Sequence, residues 1–207
     1  MIACVPVKGY FEVNCYLWID DVTKHGFLID PGAQGHALME LCRENGWIIE
    51  KILLTHGHFD HIGGIAAIRE ETDIPVYIHE AGEVYLTDTH LNLSRYCHCD
   101  MTVHGAKHFR DGDIFRLESN QTCSLRVIHT PGHTPDSVVF YDEQHNTAFV
   151  GDTIFKGSRG NDQYPGGNGR LLISSICQRI LTLPAGTRLL SGHSDETTVK
   201  AERCFYL

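Results

Sequence analysis

Short apolar runs separated by glycine, proline and asparagine organise the chain. Tyr16-Leu-Trp-Ile19 and Phe27-Leu-Ile29, the second ending at Asp30-Pro31-Gly32, have the length and punctuation of adjacent strands. The spacing then changes: Ala37, Leu38, Leu41 and Cys42 fall at helical intervals, and Asn45-Gly46 supplies a C-terminal stop. Lys51-Ile-Leu-Leu54 predicts a short buried strand that runs into a polar cluster, His56 to His61, and then a helical stretch, Ile62 to Ile68. The second half repeats the theme. Strands are expected at Leu125–Ile128, Val138–Tyr141, Thr147–Val150 and Thr187–Leu190. A helix is expected over Leu171–Leu181, with Leu172, Ile173, Ile176 and Ile180 on one face. From Thr87 to Arg110 no period emerges, and this stretch reads as a long loop over a site. With no low-complexity tract or linker, residues 1–207 are expected to form a single domain.

Composition narrows the chemistry. A chain of 207 residues, 42% hydrophobic, can bury a real core, and its formal net charge of −9 gives no positive field to gather nucleic acid or acidic membranes. A small-molecule substrate is the partner expected. The opening residues lack the basic start and long apolar core of a secretion signal, and no run of eighteen apolar residues occurs, so a soluble, cytoplasmic protein is expected. The eight cysteines are scattered and read as reduced thiols, whereas the 14 histidines include a dense group.

That group is His56-x-His58-x-Asp60-His61, three imidazoles and a carboxylate within six residues. One ion cannot use all four from a short loop, but two ions can share them: His56 and His58 on one, Asp60 and His61 on the other. His133 would complete the first shell and His193 the second, with Asp152 as a two-oxygen bridge. All follow strand ends, where a rigid sheet can hold polar groups over a cleft. A lone histidine in such a place is usually a hydrogen-bonded loop residue; four costly polar groups packed between apolar segments are hard to explain without a cation. Cys97-His98-Cys99, with His104 or His108, could form a separate zinc site, although no paired Cys-x-x-Cys spacing accompanies it.

Thr55-His-Gly-His-Phe-Asp-His61, Thr130-Pro-Gly-His-Thr134, Gly151-Asp152 and Gly192-His193, in this order, resemble the motifs of the metallo-β-lactamase superfamily. Asn14-Cys15-Tyr16, Ile29-Asp30-Pro31-Gly32, Gly151-Asp-Thr-Ile-Phe155 and Glu196-Thr-Thr198 are similar to its glyoxalase II branch, especially the short single-domain members. The resemblance implies an αββα sandwich, two mixed β-sheets flanked by helices, with the metals along one edge. It implies two divalent metal ions, zinc first, with iron or manganese also compatible. Asp30 matches an acid that orients a ligand histidine, and a turn-forming role before Pro-Gly remains open beside it.

Two segments depart from the family pattern. Gly160-Asn161-Asp162-Gln163 stands where short relatives carry Gly-Arg-x-Asp, so an ion pair is expected to have become a neutral hydrogen-bonded pair. Ser194-Asp195 replaces Gly-Pro after His193, which leaves the loop conformation there open. The activity implied is attack of metal-activated water on a thioester or ester carbonyl, with Asp60 also able to orient that water. Glutathione-specific recognition is not expected, because only 14 residues follow His193 where full-length glyoxalase II has a helical extension. Two other readings stand beside this one. One is a persulfide dioxygenase holding a single iron through residues matching His56, His133 and Asp152; the other is a metal-binding protein without turnover.

Overall fold

The computed structural model describes residues 1–206. Its framework is two six-stranded sheets packed face to face, each covered on its outer side by helices. The first sheet takes β1 (Ile2–Lys8), β2 (Glu12–Ile19), β3 (His25–Ile29), β4 (Ile48–Leu53), β5 (Val76–His79) and β6 (Lys107–Phe109) in sequence order. Its first three strands are antiparallel and the rest parallel. The second has the order β14-β13-β10-β9-β8-β7, built from β7 (Ile114–Arg116), β8 (Ser124–His129), β9 (Val138–Asp142), β10 (Thr147–Gly151), β13 (Arg188–Ser191) and β14 (Thr197–Thr198). Only β10 and β13 pair in parallel there. Between β10 and β13 lies a small ribbon, β11 (Ile154–Phe155) with β12 (Ser158–Arg159).

Alternation along the strands produces the layers. In β2, Tyr16 and Trp18 face the second sheet, while Cys15, Leu17 and Ile19 face α1 (Gly35–Asn45) and α3 (Ile65–Glu71). In β9, Val138 and Phe140 enter the inter-sheet core, while Val139 and Tyr141 pack toward α5 (Gly169–Ser175). Side chains of period two on both sheets therefore make three apolar layers, which is the αββα sandwich expected. The inter-sheet layer is strongly aromatic: the Phe140 ring lies 5.7 Å from Phe109 and 6.1 Å from Phe115.

Departures from the expected elements have local causes. The helix expected over Ile62–Ile68 is two pieces, α2 (Phe59–Ile62) and α3, interrupted at Gly63-Gly64. The helix near Leu171 ends as α5 and continues through a π-turn, Ile176–Ile180. Leu172, Ile176 and Ile180 are buried at intervals of four, but Ile173 stands about 100° away round the axis and is exposed. The stretch after α4 (Glu83–Thr87) is a loop with one 3-10 turn, Ser94–Cys97, yet it ends in β6. With only Phe109 of that strand buried, no alternation could mark it. β1 was not anticipated; Pro6 is tolerated because β1 is an edge strand. Among the described residues, no helix is long and apolar enough to cross a membrane.

Removing the central ring of the inter-sheet layer leaves a cavity between two sheets that cannot collapse. Phe140→Ala is expected to cost about 3–5 kcal/mol, measured by urea unfolding of the metal-loaded protein.

Candidate metal centre

The loop after β4 is pinned from two sides before its histidines begin. The Thr55 backbone N–H donates to Asp30 Oδ1 at 2.8 Å and its hydroxyl to Oδ2 at 2.6 Å, while its carbonyl accepts from Val138 of the second sheet at 2.8 Å. α2 then starts immediately after His58, and the Phe59 N–H is received by the Asn92 carbonyl at 2.9 Å. Gly32 has to be glycine: a Cβ there would overlap the Asp60 carbonyl. On the second sheet, His133 follows β8, Asp152 follows β10 and His193 follows β13. Asn14 of β2 reaches across to donate to the carbonyls of Ser191 and Ser194, 3.0 Å each, and the Tyr16 hydroxyl donates to Ser191 at 2.7 Å. Ser194 settles the loop left open by the sequence: its hydroxyl lies 2.7 Å from that of Ser191 and accepts from the Lys156 N–H.

All seven proposed donors converge. His56 Nε2 and His133 Nε2 lie 3.1 and 3.0 Å from His58 Nδ1. Opposite them, His193 Nε2 is 3.1 Å from Asp60 Oδ2, and His61 Nε2 is 4.0 Å from the same oxygen. Asp152 faces both groups, with Oδ1 3.4 Å from His61 Nε2 and Oδ2 3.7 Å from His133 Nε2 and 3.5 Å from His193 Nε2. The donor atoms of His56, His58 and His133 form one compact trio, and those of Asp60, His61 and His193 another.

Outward-facing nitrogens fix the rings. Asp30 Oδ2 accepts from His61 Nδ1 at 2.9 Å, the Asn161 carbonyl from His133 Nδ1 at 2.7 Å, and the Glu12 carbonyl from His193 Nδ1 at 2.8 Å. Each ring's Nε2 is thereby turned inward. Asp30 thus does more than shape a turn: it holds both Thr55 and His61, from a backbone at φ 50°. Asn161 and Gln163 do not form the neutral side-chain pair expected of them. Asn161 Oδ1 accepts from the Gln163 backbone N–H at 2.9 Å, and the Gln163 amide turns to Asp162. A two-residue separation in a tight turn favours that local bond.

The residues fit divalent cations on three grounds. Tetrahedral coordination with bonds of about 2.0–2.1 Å needs donors roughly 3.3 Å apart, close to the spacing of the histidine trio. His58 Nδ1 cannot satisfy two imidazole nitrogens at once, and the inward His61 Nε2 and Asp152 Oδ1 are buried without a hydrogen-bond partner among the described residues. Protonation also suits: burial and neighbouring imidazoles push His56 well down and His58 down to about 3, and burial lowers His133 despite Asp152. These three rings are neutral at neutral pH and available as ligands; burial opposes charge on His61 and His193, but the surrounding carboxylates push both up, so a cation there displaces protons. Burial opposes charge on Asp60 and Asp152, but the adjacent histidines, His61 foremost, hold both carboxyls below the usual range and keep them ionised. Cys97, His98, Cys99, His104 and His108 join no group of three donors among the described residues; His108 instead pairs with Glu83 at 3.0 Å.

Above the donors is a cleft of about 330 Å³ whose wall includes Phe11, Leu93, Phe155, Asn161 and Tyr164, none singled out by the sequence as wall residues. Leu93 is in the left-handed region, φ 72°, which costs a branched residue about 1–2 kcal/mol. Buried Asn92 maintains it, accepting from Ser94 N at 3.0 Å and donating to the Met101 carbonyl at 2.9 Å. No sequence period signals such a residue.

A two-sheet sandwich carrying seven convergent histidine and aspartate donors defines a metal-dependent protein with room for two ions. The metallo-beta-lactamase superfamily model matches residues 9–193, and the chain belongs to that superfamily, whose members typically bind two divalent metals. Bacillus subtilis "Probable metallo-hydrolase YqgX" is 39% identical over 96% of this chain and 92% of its own. Haemophilus influenzae "Hydroxyacylglutathione hydrolase GloC" is 28% identical over 98% and 94%. Among solved structures, BLEG-1 B3 metallo-beta-lactamase superposes with TM-score 0.92 at 35% identity, covering 100% of this chain and 99% of that one. TTHA1623 in a di-iron-bound form gives TM-score 0.83 at 34% identity, covering 96% of each.

Protein reconstituted with zinc is expected to bind about two equivalents, counted by native mass spectrometry. Asp30→Ala frees His61 to rotate and should weaken one of the two sites about 10–100-fold in chelator competition while sparing the other. A third expectation concerns Asp136, a fully buried carboxyl without a hydrogen-bond partner among the described residues, which burial pushes up to about 6 from 3.8. The folded state then holds this proton more tightly than the unfolded chain, so its contribution is present below about pH 4 and lost as pH rises through about 6. Relative to wild type, Asp136→Asn should gain about 2 kcal/mol between pH 4.5 and 7.5, read from urea unfolding at fixed zinc concentration.

Proposed function

We propose that the protein hydrolyses a thioester or ester, in the manner of the glyoxalase II branch. The observation that carries this reading is the complete donor set beneath a cleft that offers no nucleophilic serine or cysteine among the described residues lining it. Water is the nucleophile such a cleft can supply. His56, His58 and His133 would hold one cation and Asp60, His61 and His193 the other, with Asp152 reaching both. When bound, two divalent cations supply water of lowered pKa and polarisation of a carbonyl oxygen, and zinc suits the nitrogen-rich trio.

The chain's own groups orient and exclude. Asp60, kept ionised by its histidine neighbours, is a weak base, so its part is to accept a hydrogen bond from water and fix its direction rather than to store its proton. Asn161 and the Tyr164 phenol are the neutral donors on the wall, placed to meet the polar atoms of a leaving group. The Tyr164 ring stands edge-on to His58 and His133, at 5.8 and 6.3 Å, and shields that side of the donors from solvent. Likeness to the Haemophilus influenzae hydrolase supports the thioester. A mononuclear iron dioxygenase using His56, His133 and Asp152 would draw on three of the seven convergent donors, whereas two cations draw on all of them.

Zinc-loaded protein is expected to hydrolyse S-lactoyl thioesters. Asp152→Ala should lower kcat at least about 100-fold, equivalent to roughly 2.7 kcal/mol, with a smaller change in KM. Near-native kcat in that variant with two zinc ions bound would contradict the bridging role.

A further inference from the structure

The cleft wall divides by chemistry as well as by position. At the mouth, Phe11 packs against Phe59 at 5.9 Å and Tyr10 at 5.1 Å, so three aromatic rings form one cluster. Tyr10 and Phe11 are nonetheless 66% and 48% exposed, a large apolar surface left to water beside the site. Leu93, held in its left-handed conformation by the Asn92 bonds, also borders this cleft.

Charge is distributed in the opposite sense. Apart from the donors, the charged residue on the wall is Glu12, whose carboxylate pairs with Lys8 at 3.4 Å, and no lysine or arginine lines the wall among the described residues. The cations within the loops named by the sequence are elsewhere: Lys107 lies over the Tyr77 ring at 5.6 Å, and Arg95 is not on the wall. Lys156 pairs with Asp195 at 3.1 Å, and Arg159 lines a neighbouring groove of about 520 Å³ that shares Asn161 with the cleft, where it pairs with Asp162. A carboxylate packed against the Phe11 and Leu93 side chains would lose hydration with no cationic side chain on the wall to pair with. An apolar group there would instead cover exposed rings and leave water.

We propose that the substrate of this cleft carries an uncharged, apolar group that packs against Phe11 and Leu93, and that an anionic group in that place is rejected. This rests on the hydrolase reading above. The selection acts through the apolar rings and through the lack of a cationic side chain on the wall to pair with an anion.

The test uses the zinc-loaded protein and thioesters of N-acetylcysteamine bearing acetyl, phenylacetyl and succinyl groups, with S-lactoylglutathione beside S-lactoyl-N-acetylcysteamine. The kcat/KM for phenylacetyl should exceed that for succinyl by at least about tenfold, and glutathione should confer less than about threefold over the small thiol. Phe11→Lys should narrow the phenylacetyl preference by about fivefold or more, because it removes a ring and supplies the missing cation. Equal or better turnover of the succinyl ester, or a strong preference for the glutathione ester, overturns the proposal. Hydrolysis of none of them, with two zinc ions bound, overturns the hydrolase reading instead. The proposal is then decided by calorimetry with unreactive thioethers, S-(2-phenylethyl)- and S-(3-carboxypropyl)-N-acetylcysteamine: tighter binding of the phenylethyl compound sustains it, and tighter binding of the carboxypropyl compound overturns it.

Discussion

Buried donors that point at one another set the terms for the rest of this molecule. His56 Nε2, His58 Nδ1 and His133 Nε2 sit about as close as the corners of a metal tetrahedron, and Asp152 stands between them and the His61–His193 group. Hydrogen bonds among the described residues do not satisfy this cluster: His61 Nε2 and Asp152 Oδ1 are buried without a partner. Left alone it would cost the fold several unpaired polar groups; with divalent cations it becomes a source of stability. The surrounding structure exists to keep the donors from relaxing away.

That task falls to connections between the two sheets. Thr55 is tied to Asp30 within the first sheet and to Val138 of the second, while Asn14 and Tyr16 of β2 hold the loop that carries His193. Trp18 adds a bond to Asp142 at 2.7 Å farther along the same strand. Aromatic packing between the sheets fixes their separation, and these few bonds fix their register. The metal site and the core therefore depend on one geometric relation, the approach of β2 and β4 to β9 and β13.

Reactivity and recognition are separated in the same cleft. The donors lie at its floor on loops and the short α2 anchored to strand ends, whereas the wall comes from the β1–β2 turn, the loop after α4, β11 and the segment after β12. A rigid floor suits chemistry that tolerates little displacement; a wall on loops can change its side chains without disturbing the floor. Glu12 belongs to both, its carbonyl orienting His193 while the residue borders the wall and its carboxylate pairs with Lys8.

The candidate donors and the strands that precede them were legible in the chain, and the two-sheet plan followed from the resemblance to a known family. They depend on local spacing, on alternation along Tyr16–Ile19 and Val138–Tyr141, and on motif order. The sequence also pointed to Asp30, but left it divided between a turn and a ligand partner; its bonds to both Thr55 and His61 resolved that. Other features had no local signal. β6 buries one side chain, Asn161 and Glu12 orient histidines through backbone carbonyls common to every residue, and Leu93 acts from a left-handed turn held by Asn92. The expected Asn161–Gln163 pair failed because a backbone N–H lay nearer than a side chain. Sequence alone determined which chemical groups are available and which strands deliver them, because those depend on residue type and short-range period. Tertiary structure decided which groups meet and what charge surrounds them, because these distances join residues more than a hundred positions apart, such as Asn14 and Ser191.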